Sequence, residues 1–253
     1  MKVTFLGTGT SQGIPVIACE CDVCRSQDPR DKRLRTALMV EEGNDRIVID
    51  TGPDFRQQML TNKVKHISAV LITHEHNDHI AGLDDLRSFN FATRKSVPIW
   101  AEQRVLNVIT NQFPYVFAEN KYPGVPDLSL NEISGQPFQI GDLTIEPIRL
   151  MHYKLPVYGF RIGKVAYLTD VSSIPAEQWS KLDNLDLLII DALRIKPHIS
   201  HFNLEQALEV IEKVQPKKSF LVHMSHYLGK HTDIMKMVPE NVFPAWDGIQ
   251  LTV

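Results

Sequence analysis

The stretch Thr73–His79, which reads THEHNDH, directly follows an apolar run and contains four side chains of the kind that bind metal ions. Side chains of an extended segment alternate between two faces, so His74 and His76 point the same way. A turn into a following helix would bring Asp78 and His79 round to the same point. Imidazole and carboxylate groups in such a cluster suit zinc, manganese or iron. We therefore expect a metal site at the end of this strand.

Three more side chains of the same kind lie at the ends of apolar strands further along the chain. They are His152, Asp170 and His223. Open α/β sheets bind their ligands at the carboxyl ends of the strands. A single histidine in such a position is more often a packed core residue. Seven ligand-type groups at strand ends, taken together, predict a centre for two adjacent divalent ions.

The composition is that of an ordinary globular chain. Its 253 residues are 43% hydrophobic and carry a formal net charge of −3, so the chain has no overall attraction to polyanions such as nucleic acids. No apolar run approaches the roughly 20 residues that a membrane helix needs, and the first residues lack the apolar core of a signal peptide. We expect a cytoplasmic protein with a small-molecule substrate and no membrane partner, forming a homodimer as the commonest oligomer.

Short apolar runs alternate with helix-like segments, which predicts one α/β domain over residues 1–253. Strands are predicted at Val3–Leu6, Ala37–Val40, Arg46–Asp50, Ala69–Thr73, Pro98–Ala101, Leu143–Leu150, Tyr158–Ile162, Val165–Thr169, Leu187–Asp191, Ser219–His223 and Ile249–Val253. Helices are predicted at about Phe55–Leu60, His79–Phe91, Arg104–Gln112, Pro175–Leu182 and Leu204–Val214. The last is the best marked, because Asn203 can cap its first turn and Gln206 stands three residues later. The Pro-, Gly- and Asn-rich segment Tyr115–Gln136 is expected to be a long loop or lid.

The pattern His-x-His-x-Asp-His, followed by a histidine, an aspartate and a histidine at later strand ends, resembles the signature of the metallo-β-lactamase fold hydrolases. The resemblance covers essentially the whole chain, and it implies a four-layer αββα sandwich with seven metal ligands at one edge. It further implies one ion held by His74, His76 and His152, a second held by Asp78, His79 and His223, and Asp170 as the bridge between them.

Through this resemblance the sequence implies a hydrolase. Two ions roughly 3.5–4 Å apart can share a hydroxide, because metal binding lowers the pKa of water towards about 7. Asp78 would then belong to the catalytic machinery as well as to the ligand set. Asp50 matches the family's acidic residue after an early strand, and we expect it to orient the ligands from behind.

Three cysteines, Cys19, Cys21 and Cys24, lie within six positions. Neighbours this close are poorly placed for a disulfide framework, so reduced thiols and metal binding are the better interpretations. A tetrahedral structural zinc needs a fourth ligand, and the candidate is His226, three residues after His223. The alternative is that three small residues merely pack a loop, because Cys-x-Cys is less standard than paired Cys-x-x-Cys.

The combination of Cys-x-Cys-x-x-Cys near the N-terminus and His-x-x-His near the C-terminus resembles the phosphoribosyl 1,2-cyclic phosphate phosphodiesterases of the carbon-phosphorus lyase pathway. This resemblance implies a structural zinc that ties the N-terminal loop to the strand end at His223. It also implies that His201, just before the best-marked helix, is the general acid that protonates the leaving alkoxide. The alternatives are that His198 is the acid and that His201 is an exposed loop residue. His66 and His231 are expected at the surface.

Two weaker patterns are not assigned to the site. The run Gly7–Gly13 lacks the spacing of phosphate-binding loops, and we expect it to form a tight turn that shapes the floor of the site. The basic residues Arg30, Lys32, Arg33 and Arg35 could receive a substrate phosphate, but such runs are usually a solvated face.

Several other functions use this fold. A transfer-RNA 3′-end processing endonuclease has the same His-x-His-x-Asp-His motif, but the acidic balance and the lack of an obvious arm rich in Gly, Pro and Lys disfavour it. Thioester and lactone hydrolases use a similar metal pair on carbonyl groups. The redox flavoprotein branch usually has Glu where His76 stands. A zinc-knuckle binding module without activity is disfavoured, because no proposed ligand is missing.

We expect a phosphodiesterase that hydrolyses a small, cyclic phosphodiester, such as phosphoribosyl 1,2-cyclic phosphate, by attack of a metal-bridging hydroxide. Its cofactors would be two divalent ions, manganese or zinc, at the active site and one structural zinc. The position of His201 favours an alkoxide leaving group, and therefore phosphodiester over thioester chemistry.

Overall fold

Fourteen strands form two mixed sheets in the computed structural model, which describes residues 1–253. In chain order the strands are β1 (Lys2–Gly7), β2 (Ala37–Glu42), β3 (Asp45–Ile49), β4 (Ala69–Leu71), β5 (Val97–Ala101), β6 (Leu128–Glu132), β7 (Phe138–Ile140), β8 (Leu143–His152), β9 (Leu155–Ile162), β10 (Val165–Leu168), β11 (Leu187–Asp191), β12 (Lys218–Val222), β13 (Val242–Pro244) and β14 (Gln250–Thr252). The first sheet has the order β14-β1-β2-β3-β4-β5-β6 and the second the order β13-β12-β11-β10-β9-β8-β7. The strands run parallel from β3 to β6 and from β10 to β13, and the other pairs are antiparallel.

Helices connect the parallel strands. They are α1 (Phe55–Thr61), α2 (Asn77–Ile80), α3 (Arg87–Thr93), α4 (Gln103–Gln112), α5 (Pro114–Phe117), α6 (Leu204–Val214) and α7 (His231–Ile234), with 3-10 turns at Pro29–Asp31, Leu83–Leu86 and Ala176–Leu182. The predicted capping box of α6 is present, since the Asn203 side chain accepts the Gln206 N–H and the Gln206 side chain accepts the Asn203 N–H. None of these helices has the length and apolar character needed to cross a membrane.

The apolar side chains form three large clusters that separate four layers. One cluster lies between the two sheets and includes the fully buried Tyr167. A second joins the outer face of the first sheet to its helices, as Val70 of β4 and Leu106 of α4 show. A third joins the outer face of the second sheet to its helices, with Ile190 of β11 and Leu204 of α6. The predicted four-layer αββα sandwich of the metallo-β-lactamase fold is confirmed.

The parallel halves of both sheets end at one edge, where the chain bends sharply. Asp50 follows β3, Asp170 follows β10 after one residue, and His223 follows β12, with φ angles of +67°, +55° and +55°. Positive φ is uncommon for residues other than glycine. Each bend costs energy but turns a ligand-type side chain in towards the same edge, and such strain is typical of functional sites.

Glycines let the loops behind this edge approach closely. A side chain at Gly52 would collide with the main-chain oxygen of Asp78, and one at Gly7 would collide with that of Arg35. In the run Gly7–Gly13 only Gly13 has a positive φ, +64°. The predicted role in shaping the floor of the site therefore depends on close backbone approach more than on a tight turn.

Four local predictions were wrong. The expected lid Tyr115–Gln136 contains β6, which pairs in parallel with β5 at the edge of the first sheet. The expected helix His79–Phe91 is divided into two helices and a 3-10 turn around Gly82, because the Gly82 backbone packs against the loop at Gly52. His231 is buried, with 3% of its surface exposed, since it packs edge-on against the Trp246 ring. Arg33 is buried as well, because its guanidinium donates to the Thr8 hydroxyl and the Ala245 carbonyl.

Candidate metal centre

The first three predicted ligands meet between the two sheets. The loop after β4 carries His74 and His76, and β8 ends at His152. The Nε2 atom of His74 lies 2.9 Å from Nδ1 of His76. The ring of His152 has its centre 5.6 Å from that of His74 and 5.2 Å from that of His76. One nitrogen of each ring falls within 4.8 Å of the others, which is close enough to share one ion.

The second predicted set lies beside the first and also contains the predicted bridge. Asp78 and His79 come from the first turn of α2, and their Oδ2 and Nε2 atoms are 3.2 Å apart. Oδ2 of Asp170 lies 3.3 Å from Nε2 of His79 and 3.2 Å from Nδ1 of His223. Oδ1 of the same carboxylate lies 4.0 Å from Nε2 of His74, in the first set. Asp170 thus reaches both groups of ligands.

Hydrogen bonds on the far side of the rings set the direction in which His79 and His152 face. Nδ1 of His79 donates to Asp50 at 2.7 Å. The same carboxylate accepts the backbone N–H and the hydroxyl of Thr73, at 2.9 Å and 3.0–3.1 Å. Nδ1 of His152 donates to the carbonyl of Ser200 at 2.7 Å. Both rings then present their other nitrogen to the centre.

The carboxylates make the centre attractive to cations. Burial lowers the pKa of His79, but Asp78, Asp50 and Asp170 outweigh that effect and raise it well above its ordinary value. In contrast, burial keeps the pKa of His223 low, at about 4. The group therefore combines negative carboxylates with buried imidazoles, as cation-binding centres do.

The hydrogen bonding of these side chains indicates that they fit a pair of divalent ions. Nε2 of His79 and Nδ1 of His223 are buried and have no hydrogen-bond partner. A buried polar atom without a partner costs about 1–3 kcal/mol. Both atoms lie at the centre of the second ligand set, where an ion would satisfy them, and nitrogen and carboxylate oxygen are the donors that zinc and manganese accept.

His201 lies between the two ligand sets. Its ring stacks on His223, with centres 4.9 Å apart, and meets His152 edge-on at 4.6 Å. Nδ1 donates to Oδ2 of Asp191 at 2.9 Å. Burial lowers the pKa of His201, but the Asp191 carboxylate outweighs it and raises the pKa to about 9. Only 9% of this residue is exposed, so it is not a free loop histidine.

Two further histidines, His198 and His66, belong to neither ligand set. His198 is half-buried, 5.3 Å from the ring of His201, and its Nδ1 accepts from the backbone and hydroxyl of Ser200. His66 is exposed in the segment between α1 and β4. The sequence analysis gave Asp191 no role in the site. Asp191 is the last residue of the apolar strand β11, and Asp170 follows the apolar strand β10 after one residue. The strand-end signal could have found it.

The three cysteines converge on His226. Their sulfur atoms lie 3.2 Å (Cys19), 3.4 Å (Cys21) and 3.5 Å (Cys24) from its Nδ1 atom. Zinc–sulfur and zinc–nitrogen bonds of about 2.3 and 2.0–2.1 Å place such atoms about 3.6 Å apart in a tetrahedron. The four side chains therefore fit one tetrahedral zinc, and Tyr227 packs against the His226 ring with centres 4.0 Å apart.

Backbone hydrogen bonds join the run Gly7–Gly13, which precedes the cysteines in the chain, to the metal edge. Thr10 donates to the carbonyl of Met224 at 3.0 Å, and Met224 donates to that of Thr8 at 3.1 Å. Met224 is the residue after His223. A zinc on the cysteines would therefore stabilise the wall of the centre without being part of it.

We expect Cys21→Ser to remove one equivalent of zinc and to leave the paired ions in place, because the two clusters share no ligand. Inductively coupled plasma mass spectrometry of the purified protein measures the change. Asp22→Asn, in the same exposed loop, is the matched control and should keep the full metal content. Loss of all metal together from Cys21→Ser would contradict the separation of the two sites.

The chain is similar to known proteins in sequence and in fold. Residues 45–224 match the beta-lactamase superfamily domain. The chain belongs to this superfamily and has the metallo-β-lactamase fold. A solved structure described as a new diphosphatase from the PhnP family is 37% identical, with a TM-score of 0.93, over 99% of this chain and 96% of that one. Within the superfamily, the chain belongs to the PhnP family.

Curated relatives are longer than this chain. An octanoyltransferase of Porphyromonas gingivalis (strain ATCC BAA-308 / W83) is 43% identical over 256 residues, which are 100% of this chain and 52% of that protein. A coenzyme PQQ synthesis protein B of Rhodopseudomonas palustris (strain ATCC BAA-98 / CGA009) is 26% identical over 76% of this chain and 62% of that protein. The chain thus spans about half the length of the first relative. The zinc-bound PqqB of Methylobacterium extorquens, 17% identical over 100% of both chains with a TM-score of 0.83, shares the fold.

Proposed function

We propose that this chain is a binuclear phosphodiesterase that opens a small, cyclic phosphodiester such as phosphoribosyl 1,2-cyclic phosphate. The observation that carries the proposal is the position of His201, which contacts a ring of each ligand set and is held by Asp191. A proton donor beside a metal pair is what a phosphodiester with a poor, alkoxide leaving group requires.

The proposed ligands are those that the structure brings together. His74, His76 and His152 would hold one ion, Asp78, His79 and His223 the second, and Asp170 would bridge them. Manganese or zinc fits these ligands, and a structural zinc fits the cysteine cluster. When bound, the paired ions supply a nucleophilic water at neutral pH and neutralise charge on the phosphate oxygens.

The residues around the ligands then supply orientation and a proton. Because Asp191 accepts from Nδ1 of His201, the Nε2 atom of that ring is the one that can protonate the departing oxygen. Asp50 anchors both Thr73 and His79, so it aligns the first residues after β4 with the helix that follows. Ser200 orients His152 and stands next to His201, which couples the position of the acid to that of a ligand.

The main alternative reaction at the same centre is hydrolysis of an acyl thioester. The relative named an octanoyltransferase raises this possibility, although that name describes a protein about twice as long, of which this chain matches 52%. A carbonyl substrate with a thiolate leaving group needs no strong proton donor, since thiolates leave readily, so a built position for His201 favours the phosphodiester.

Partners and location are also part of the proposal. We infer a small-molecule substrate in place of nucleic acid, because the net charge is −3 and RNA binding would need a basic surface. A homodimer and a cytoplasmic location stay predictions. A nucleic-acid binding module would lose affinity steeply with salt, whereas turnover of a small substrate would change little.

Phosphorus NMR of ribose 1,2-cyclic phosphate 5-phosphate with the manganese-loaded protein tests the function. We expect the cyclic diester signal to be replaced by that of a phosphomonoester, and His79→Ala, which lacks a proposed ligand, to leave it unchanged. An octanoyl thioester is assayed in parallel. Hydrolysis of the thioester with an unchanged cyclic signal would overturn the proposal in favour of carbonyl chemistry.

A further inference from the structure

Arg104, the second residue of α4, connects the loop that follows β4 to the second sheet. Its guanidinium donates to the Glu75 carboxylate through Nη1 and to the Pro156 carbonyl of β9, at 2.7 Å, through Nη2. We propose that Arg104 is a positioning residue that holds the first ligand set in the geometry that binds one ion. The inference rests on the proposed pair of ions and is independent of which substrate is hydrolysed.

On the loop side, the contact of Arg104 falls between two ligands. Glu75 stands between His74 and His76 in the chain, and the backbone of His76 is extended, with φ −63° and ψ 147°. Successive side chains of an extended segment point to opposite faces. A carboxylate held on one face therefore fixes the two imidazoles on the other. Oε2 of Glu75 is buried and has no hydrogen-bond partner, so Arg104 holds this side chain through Oε1.

On the side of the second sheet, the contact falls next to the third ligand of the set. Pro156 lies in β9 opposite the residue before His152. A further bond joins the same two segments, because the Tyr158 N–H donates to the Thr73 carbonyl at 3.1 Å. That bond fixes the beginning of the loop, and Arg104 fixes the part between the ligands. Together they set the distance from His152 to the two loop histidines.

The guanidinium is itself held in place. Nη2 of Arg104 also donates to Glu102 at 3.3 Å, and Glu102 pairs with Arg149 of β8 at 2.7 Å. The Arg104 side chain is 33% exposed, and that of Glu75 is 19% exposed. A planar guanidinium presents its donors in a fixed fork, so one side chain can hold a carboxylate and a carbonyl at the same time. A lysine ammonium in its place would lack this fork.

The second ligand set has supports of its own. Asp50 accepts from Nδ1 of His79 at 2.7 Å, and the Thr36 hydroxyl accepts the backbone N–H of His223 at 3.1 Å. Arg104 makes no hydrogen bond to any of these residues. Its loss should therefore weaken one ion and spare the other.

Manganese binding tests the inference without any substrate. Isothermal titration calorimetry adds manganese to protein that has been treated with a chelator. We expect wild type to bind two ions, and Arg104→Met to bind one of them with unchanged Kd and the other roughly 10- to 100-fold more weakly, the usual loss when a partner of a metal ligand is removed. Arg149→Met is the matched control, since Arg149 pairs with the same Glu102 but makes no hydrogen bond to Glu75 or Pro156. It should bind both ions as wild type does.

Ligand variants identify which ion is weakened. His76→Ala lacks a ligand of the first set, so adding Arg104→Met to it should leave the Kd of the remaining ion unchanged. In His223→Ala, which lacks a ligand of the second set, the same addition should weaken the remaining ion by the full factor. The opposite pattern would mean that Arg104 supports the second set, and the inference would be wrong.

Glu75 variants separate position from charge. Glutamine keeps an oxygen that accepts from Arg104, so Glu75→Gln should retain most of the affinity for the first ion. Glu75→Ala removes the acceptor and should lose as much as Arg104→Met. Equal losses in Glu75→Gln and Glu75→Ala would show that the carboxylate acts through its charge, which contradicts a positioning role.

The outcomes distinguish this inference from the proposed function. If wild type and Arg104→Met bind two ions equally tightly, the inference is overturned and the binuclear centre stands. If Arg104→Met and Arg149→Met weaken both ions alike, Arg104 acts through general stability, and the positioning role is again wrong. If wild type binds fewer than two manganese ions, the binuclear centre itself fails, and the inference fails with it.

Discussion

Asp170→Ala should abolish turnover and strip the paired ions from the protein. Its carboxylate reaches His79 and His223 at 3.3 and 3.2 Å and approaches His74 at 4.0 Å, so it is the side chain that links the two ligand sets. Its removal takes away the carboxylate that lies within 4.0 Å of a nitrogen of each of these three histidines. Phosphodiester turnover and metal content by mass spectrometry, measured on the same preparation, record both losses.

Two further variants make the Asp170 result interpretable. Asp170 has φ +55°, a conformation that asparagine tolerates better than alanine, so Asp170→Asn removes the charge with the least backbone strain. It should lose activity to nearly the same extent. Asp183→Ala, at an exposed position, should behave as wild type. Full turnover by a folded Asp170→Asn protein, with circular dichroism like that of wild type, would show that no carboxylate bridge is needed.

His201→Ala should retain all metal and lose roughly 10²- to 10⁴-fold in kcat on the cyclic phosphodiester, the usual contribution of a general acid. The ring makes no contribution to either proposed ligand set, but it packs against a member of each. Metal content therefore distinguishes the loss of a proton donor from damage to the centre. Steady-state kinetics with the cyclic substrate gives the magnitude.

A substrate with a better leaving group provides a sharper control for the role of His201. A phosphodiester that releases p-nitrophenolate needs little protonation, so His201→Ala should lose far less activity on it than on the cyclic substrate. His198→Ala, which alters the neighbouring imidazole 5.3 Å away, should keep both activities. Equal losses on the two substrates would mean that His201 positions the site and does not donate the proton. A large loss in His198→Ala alone would transfer the role to that residue.

Much of the metal centre could be predicted, because the sequence patterns that mark its residues each span only a few positions. Apolar runs define where strands end, and in a sheet of parallel strands those ends meet at one edge. His152, Asp170 and His223 could therefore be selected from their positions alone, without knowledge of the strand order. The capping box of α6 and the spacing of the three cysteines are likewise patterns within a few residues, and both have the predicted form.

Elements whose structure depends on tertiary contacts were harder to predict from the sequence. β6 is short and lies in a segment rich in proline and glycine, and it forms because β5 offers a free parallel edge. The segment after His79 has a helical pattern, but the close packing of Gly82 on the loop at Gly52 divides it. Propensity and periodicity describe a chain by itself, and tertiary contacts can override them.

Short-range periodicity and spacing predicted an α/β domain, the seven candidate ligands and the cysteine–histidine cluster, and the resemblance to a known family implied the four layers. Three features became known from the three-dimensional arrangement of the chain: Asp191 accepts a hydrogen bond from His201, His231 is buried, and Arg35 lines a recess beside Asp78. The physical reason is the same in each case. The burial, the hydrogen-bond partner and the cavity are set by chain segments far apart in sequence, as when Arg35 meets the Ser11 carbonyl 24 residues away, and no local pattern encodes such a meeting.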